Sequence, residues 1–302
     1  MVKGDYMTTK STIGDRIFDL INVTFLSLLS LTCIYPMIYV VFASFSDPKL
    51  LMQHQGVLLS PLGFTLKGYS LVLSNPNISI GYLNTIFYVV VGTLISMILT
   101  CFGAYALSRK GVLLSKYILI LITITMFFGG GLIPFYLLVK NLGLLDSRWA
   151  VILPSAMSAW NLIIMRTAFK EIPASFEESA RIDGANDFTI LFRIILPLSK
   201  PIIAVMVLFY GVGIWNSWFN AAIFIHTPSK YPIQLVLREI LIQNDKGSML
   251  QVQSGISAQS ENMYRQLIQY TTIVIATVPI LCAYPFLQKY FVKGIMIGSL
   301  KE

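Results

Sequence analysis

Residues 172–201 read "IPASFEESARIDGANDFTILFRIILPLSKP", with four acidic and three basic residues in a chain that is only 12% charged. Long apolar stretches flank this charged island on both sides. Its local grammar is helical. Pro173 suits a first helical position, and Ser175 with Glu178 three residues on has the spacing of a capping box. Gly184 is placed to close the helix in the left-handed conformation. A helix is therefore expected over Ala174–Asp183, its early acidic residues favoured by the helix dipole. Asn186 or Asp187 can cap a second helix, "FTILFRII", in which Phe188, Leu191, Phe192 and Ile195 share one face. Pro197 ends that helix and Pro201 opens the next apolar stretch. Two short helices with a sharp glycine joint make a knob suited to a partner's groove, or more simply a linker.

The surroundings decide what kind of chain carries the knob. Of 302 residues 56% are hydrophobic, and a soluble domain has about 25% charged residues. The chain is thus expected to be an all-α membrane protein. A crossing needs about 20 mostly apolar residues, and six segments qualify: 17–45, 82–108, 113–138, 149–169, 202–225 and 267–288. They leave an N-terminal tail at 1–16, a loop at 170–201 that contains the knob, and a C-terminal tail at 289–302. The first apolar run far exceeds the roughly 7–15 residues of a signal-peptide core, and no small-x-small site follows it. It is expected to stay in the membrane.

Lys and Arg set the orientation. With the N-terminus inside, 14 of the 22 fall on the inner side and eight on the outer, and the short loop "SRKGVLLSK" (108–116) is especially basic. The positive-inside rule then places both termini and the 170–201 loop in the cytoplasm. Two long outer segments remain, about 46–81 and 226–266; the second contains the polar run "IQNDKGSMLQVQSGISAQSEN". Each reads as a solvated connector or an interaction surface. Pro36, Pro134, Pro154, Pro279, Pro285 and the "GGG" at 129–131 are expected to bend or break spans.

Several function classes lack their machinery. Of the 14 acidic residues only Asp19 falls within an expected span, at its very start, so ion-coupled carriage has no acid at depth to use. There is no HExxH, no G-x-S-x-G and no GxxxxGK[ST], so metal, nucleophilic or P-loop chemistry is not expected of this chain. The cysteines Cys33, Cys101 and Cys282 show no metal or disulfide spacing and read as small buried hydrophobes. The net charge of +8 is no sign of nucleic-acid binding in a polytopic chain.

At fixed spacing, Glu178, Ala180, Gly184, Ile194, Leu196 and Pro197 resemble the EAA loop of ABC importer permeases. Ser179 stands where the motif has its first alanine. Asp183-Gly184-Ala185 is similar to a step common in carbohydrate importers. "LNTIFYVVVGTLISMILTCFGAYALSR" (83–109) resembles the start of the permease core of the maltose-transporter type. "FFGGGLIPFYLLVKNLGLLDSRWAVILP" (127–154) and "YFVKGIMIGSLKE" (290–302) resemble a branch serving complex oligosaccharides and polysaccharide products, chiefly in Gram-positive bacteria.

The resemblance implies a type I importer bundle of six spans in the cell membrane. A homologous sister permease would complete a heterodimer, two copies of a cytoplasmic ATPase would bind below, and a sugar-binding lipoprotein would dock outside. No cofactor would bind this chain; ATP and Mg would sit on the ATPase. Coupling would fall to Glu177, Glu178, Ser179, Ala180, Asp183, Gly184, Ala185 and Pro197, with Glu178 making a charged contact and Ala180 packing closely on the partner. For the substrate, "YGVGIWNSWFNAAIF" (210–224) offers the aromatic faces Trp215, Trp218 and Phe219. Asn216 and Asn220 are placed at i and i+4 on one helix face, and Asn161 is a second candidate beside Trp160. An interfacial aromatic belt is the alternative. With no basic group at depth, neutral sugars are favoured.

Overall fold

A computed structural model of the chain describes residues 12–109, 111–242 and 264–282. Every regular element among them is helical. The described chain forms two compact units, one from residues up to Val72 with residues up to Val274 of the last helix, the other from Leu73 onward.

In the first unit α1 spans Ile13–Ser44, opened by a capping box in which Thr12 and Asp15 exchange hydrogen bonds. At 32 residues and 1.5 Å per residue it runs about 48 Å, well beyond a bilayer core of about 30 Å. Its apolar side chains are exposed all round from Ile13 to beyond Leu31, the pattern of a helix solvated by lipid rather than by water. Only its end is packed. There Ala43, Leu51 and Leu58 meet Tyr39, Phe42 and Tyr270. The short helix α2, Pro48–Gln53, begins behind an Asp47 cap. Tyr35 Oη accepts the Leu58 N–H, and Ser46 Oγ accepts the Leu62 N–H. Part of the first long outer segment is thereby folded back on α1. Helix α3, Lys67–Leu73, approaches α15, Tyr264–Cys282, so closely that a Cβ on Gly68 would overlap Thr271 and come within 2.9 Å of Leu267.

The second unit is built on α4, Pro76–Ser108, which starts at an Asn75 cap six residues before the expected span. Against it pack α8 (Ala159–Glu171), α12 (Lys200–Trp215) and α14 (Ile233–Ile242). Lipid gives apolar helices little reason to associate, so close fit and hydrogen bonds must hold the bundle. Both are present. Met165, Phe169, Ile190, Ile195 and Met206 are fully enclosed with Tyr105 and Tyr210, and Thr100 Oγ1 lies 2.7 Å from Tyr210 Oη.

Among the described residues, three helices are long and apolar enough to cross a membrane: α1, α4 and α15. Three bent pairs bring the count to as many as six. The segment expected as one span at 113–138 is instead α5, Ser115–Phe127, and α6, Leu132–Asn141, at 115° to each other. The three glycines form that corner, with Gly131 at φ +83°. Pro134 falls in the first turn of α6, where no helical N–H bond is lost. The expected span 149–169 is α7 (Trp149–Ile152) with a 3₁₀ turn to Ser155, then α8, at 49°. The expected span 202–225 breaks after Trp215, and α13, Phe219–Phe224, follows. Cys101 is half-buried, but Cys33 and Cys282 are exposed, contrary to expectation, because they lie on surfaces that no other described residues cover. Most of the N-terminal tail, the polar run after Ile242, residues 283–288 of the sixth expected span and the C-terminal tail lie outside the described residues.

Candidate functional site

The 170–201 loop forms α9, Ala174–Ile182, and then α10, Asp187–Ile190. No side chain caps α9: the expected Ser175–Glu178 box is absent, and the fixed φ of Pro173 precedes the first turn instead. The other end closes as expected. Gly184 adopts φ +80°, Ala185 N–H donates to Ala180 O (2.9 Å) and Gly184 N–H to Arg181 O (3.0 Å). This paired arrangement satisfies carbonyls that the helix end would leave open. Asn186 then caps α10 by accepting the Thr189 N–H at 2.8 Å. A π-turn at Leu191–Ile195 and a last turn at Leu196–Leu198 carry the chain past Pro197 to an 86° bend before α12. The π-turn splits the expected apolar face. Leu191 and Ile195 are buried, whereas Phe188 and Phe192 are exposed and stand edge-on to Phe102.

Charge fixes α9 in place. Arg109, at the end of α4, reaches Glu177 Oε2 at 2.6 Å and Phe169 O at 2.7 Å, with Tyr105's ring beneath it. Arg181 joins Glu177 (3.0 Å) to Asp187 (2.6 Å). Burial alone would push the Glu177 carboxyl up, but the hydrogen bonds and charges of Arg109 and Arg181 outweigh it and hold it low. The motif residues therefore divide. Glu177 points inward to Arg109; Glu178, Ser179 and Asp183 are exposed. Ala180 is buried with Ala185 against this chain's own core rather than being offered to a partner. Pro197 is exposed.

The second candidate region differs more from expectation. Because α12 ends at Trp215, Asn216 and Asn220 do not share a helix face. Trp215 Nε1 is buried with no hydrogen-bond partner among the described residues, and Asn216 is the exposed residue after the helix. Trp218 stands at right angles to Phe219 (5.6 Å), and Asn220 Nδ2 donates to Ser155 Oγ (3.1 Å). A cavity of about 230 Å³ lies alongside, between α4, α7, α8 and α12. Of the proposed pathway residues it touches Asn161 alone, together with Tyr88, Ser155, Ser158, Tyr210 and Ser217. Its hydroxyl-rich lining is scattered over 130 positions of sequence and shows no motif.

Arg148 and Arg238 were also not expected near these residues. Arg148 donates to Asn84 Oδ1 (2.9 Å) and lies over Phe87; Arg238 lies 4.2 Å above the Trp218 ring. Part of the second outer segment is pinned down nearby. Asp146 accepts from His226 N–H (3.0 Å), Thr227 N–H (2.9 Å), Thr227 Oγ1 (2.5 Å) and Lys230 Nζ (3.0 Å). The Thr227 bonds foremost, and then Lys230, hold its carboxyl well below the usual carboxylate range.

With this geometry in view, the likeness to known proteins runs along the whole chain. The binding-protein-dependent transport system inner membrane component family matches residues 6–297. The polygalacturonan/rhamnogalacturonan transport system permease protein YtcP of Bacillus subtilis (strain 168) is 43% identical over 289 residues, 95% of this chain and 99% of its own. Protein LplC of the same organism is 42% identical, covering 97% of this chain and 98% of its own. A chain in the crystal structure of a bacterial ABC transporter involved in the import of the acidic polysaccharide alginate superposes with a TM-score of 0.85. It is 33% identical and covers 94% of this chain and 100% of its own. A helical chain matched over this length belongs to the family of binding-protein-dependent transport system inner membrane components, and is a membrane-embedded transporter subunit rather than an enzyme.

Proposed function

We propose that this chain is one of two permeases of an ATP-driven importer for oligosaccharides released from polysaccharides. The observation that carries this reading is the near-full-length likeness to a polygalacturonan/rhamnogalacturonan permease. Membership of a binding-protein-dependent family implies an ATPase and a substrate-binding protein as partners. The fuller assembly has a homologous sister permease, two ATPase copies carrying ATP and Mg, and a sugar-binding lipoprotein outside a Gram-positive cell membrane. Both termini and α9 then face the cytoplasm.

The coupling element is α9. Its exposed ridge of Glu178, Ser179, Ile182 and Asp183 is the face offered to the ATPase. Glu177, Ala180 and Ala185 seat the ridge on the bundle, Gly184 makes the turn, and Pro197 precedes the bend into α12. ATP-driven closure of the ATPases would move α9 and, through Arg109 and Glu177, α4. Asn161 and the hydroxyls around it supply hydrogen bonds to a passing sugar, beside the aromatic faces of Trp218 and Phe219.

The complete importer, reconstituted with its binding protein in liposomes, is expected to take up a labelled oligogalacturonide only with internal ATP. Uptake that survives ATP depletion, with no ATPase co-purifying, would sink the reading. Glu178→Lys is expected to release the ATPase without changing the thermal stability of the permease pair.

A further inference from the structure

We infer that the second half of the charged loop, Asp187–Leu198, is a foot set in the inner leaflet and held by anionic phospholipid through Arg193 and Lys200. The inference rests on the permease reading, which puts α9 on the cytoplasmic side. Three observations carry it. First, the segment is turned across the bundle. Helix α12 packs antiparallel on α4, with Ile214 over Gly92 and Tyr210 on Thr100, and Asp187–Leu198 meets α12 at 86°. A segment at right angles to a crossing helix lies along the membrane surface. The Arg109–Glu177 contact puts the end of α4 on the same side as α9, so the foot lies at that end of the bundle.

Second, the free face of the foot is aromatic. Ile190, Leu191 and Ile195 are enclosed in the bundle core, whereas Phe188 is 65% exposed and Phe192 55%. Both stand edge-on to the exposed Phe102 of α4. Three phenylalanines from two elements thus form one patch that no other described residues cover. Phe102 precedes the end of α4 at Ser108 by about 9 Å along the helix. An interfacial helix sinks its apolar face to a similar depth, roughly 5–10 Å.

Third, the charges are one-sided. Residues 188–200 contain no acid and two cations, Arg193 and Lys200, both exposed. Neither has a carboxylate within ion-pair distance among the described residues, whereas Arg109 and Arg181 in the same region are matched by Glu177 and Asp187. Aromatic rings beside unmatched cations fit a phospholipid of net negative charge: the acyl chains take the rings and the phosphate takes the cations. The ridge of α9, with Glu178, Ser179 and Asp183 exposed, has the opposite character and suits a protein in water. Residues 183–186 and the Arg181–Asp187 pair join the foot to α9. Lipid charge therefore sets the position from which α9 meets the ATPase.

The test places the photo-crosslinker p-benzoylphenylalanine at Phe192 of the complete importer, in a bilayer of equal parts phosphatidylglycerol and phosphatidylcholine. Adducts, sorted by mass, are expected on lipid, with phosphatidylglycerol favoured by about fivefold or more. Arg193→Gln and Lys200→Gln are each expected to lower that ratio about fivefold, the worth of one cation beside an anionic surface. Arg193→Lys should keep most of it. The same probe at Leu94, exposed near the middle of α4, should show neither the preference nor the response. A ratio near one at Phe192, a ratio that neither glutamine variant moves, or an equal response at Leu94 would overturn the anchor. Adducts on the sister permease or the ATPase would place a protein on this face and overturn it as well. Crosslinking needs no transport: failure to carry any oligosaccharide with ATP would overturn the permease reading, while the adducts still decide the anchor.

Discussion

Arg109 and Glu177 are 68 positions apart in sequence, yet their side chains meet at 2.6 Å. The contact joins the end of α4, the central helix of its unit, to the loop helix α9. Both side chains are about seven-eighths buried, and Arg109 also holds Phe169 O at the end of α8. A force applied to α9 therefore reaches two helices of the bundle through one guanidinium.

Removing Glu177 leaves the Arg109 charge buried without a carboxylate, and removing Arg109 leaves the buried Glu177 with the more exposed Arg181 alone. Arg109→Ala is expected to cost about 3 kcal/mol, the lower end for breaking a buried pair. Arg109→Lys restores only part of this, since an ammonium cannot address Glu177, Ser108 and Phe169 in one plane. Thermal unfolding of the detergent-solubilised complex checks the stability loss. ATP hydrolysed per sugar imported checks the mechanical role: it should rise in Arg109→Lys even where the ATPase remains bound.

The two small residues at the heart of the motif should respond in opposite ways. Ala180 is buried in its own chain's core while Ser179 is exposed. Ala180→Leu is expected to destabilise the permease by about 1–3 kcal/mol through overpacking. Ser179→Leu should leave its unfolding within about 0.5 kcal/mol of wild type and weaken ATPase association instead. A pull-down alongside a melting curve separates the two effects; an Ala180→Leu chain that melts normally would place that residue at the partner interface.

What could be read in the sequence was local. The cap at Asn186 and the left-handed turn at Gly184 depend on residues within a few positions of each other, and both formed. The Ser175 cap did not form, because Pro173 already sets the entry to α9. Hydropathy located most of the apolar material but not its corners. Nothing in an apolar window distinguishes one span from α5 and α6 at 115°, or predicts that α12 stops at Trp215. The least legible features were the long-range ones. Arg109 finding Glu177, Ala180 turning inward and Arg238 settling on Trp218 all depend on which helices pack together. No spacing rule within 170–201 or 210–224 contains that information.

Asp146 offers a pH test of the outer loop. Its carboxyl is held below the ordinary value of 3.8 by Thr227 and Lys230. A depressed acid contributes stability that is fully present above its unfolded value and is lost as pH falls towards the folded one. The wild type should therefore be more stable than Asp146→Asn at pH 7, and the gap should narrow as pH drops below about 4. Melting curves of both proteins at pH 7, 5 and 3.5 follow it; a gap that widens on acidification would contradict the assignment.

Tyr210 ties the cavity to the bundle core. Its hydroxyl meets Thr100 Oγ1 at 2.7 Å and accepts the Ser158 N–H at 3.2 Å. Ser158 in turn caps α8 by accepting the Asn161 N–H, so one phenol positions the turn that presents Asn161 to the cavity. Tyr210→Phe strands a threonine hydroxyl and a backbone N–H in a low-dielectric site, a loss of about 1–3 kcal/mol. Adding Thr100→Val removes one stranded group and should recover part of the stability, but it cannot restore the Ser158 contact. Sugar uptake should therefore remain lowered in the double variant after its melting temperature has partly returned. If uptake and stability recover together, the hydroxyl serves the core alone and has no part in shaping the cavity.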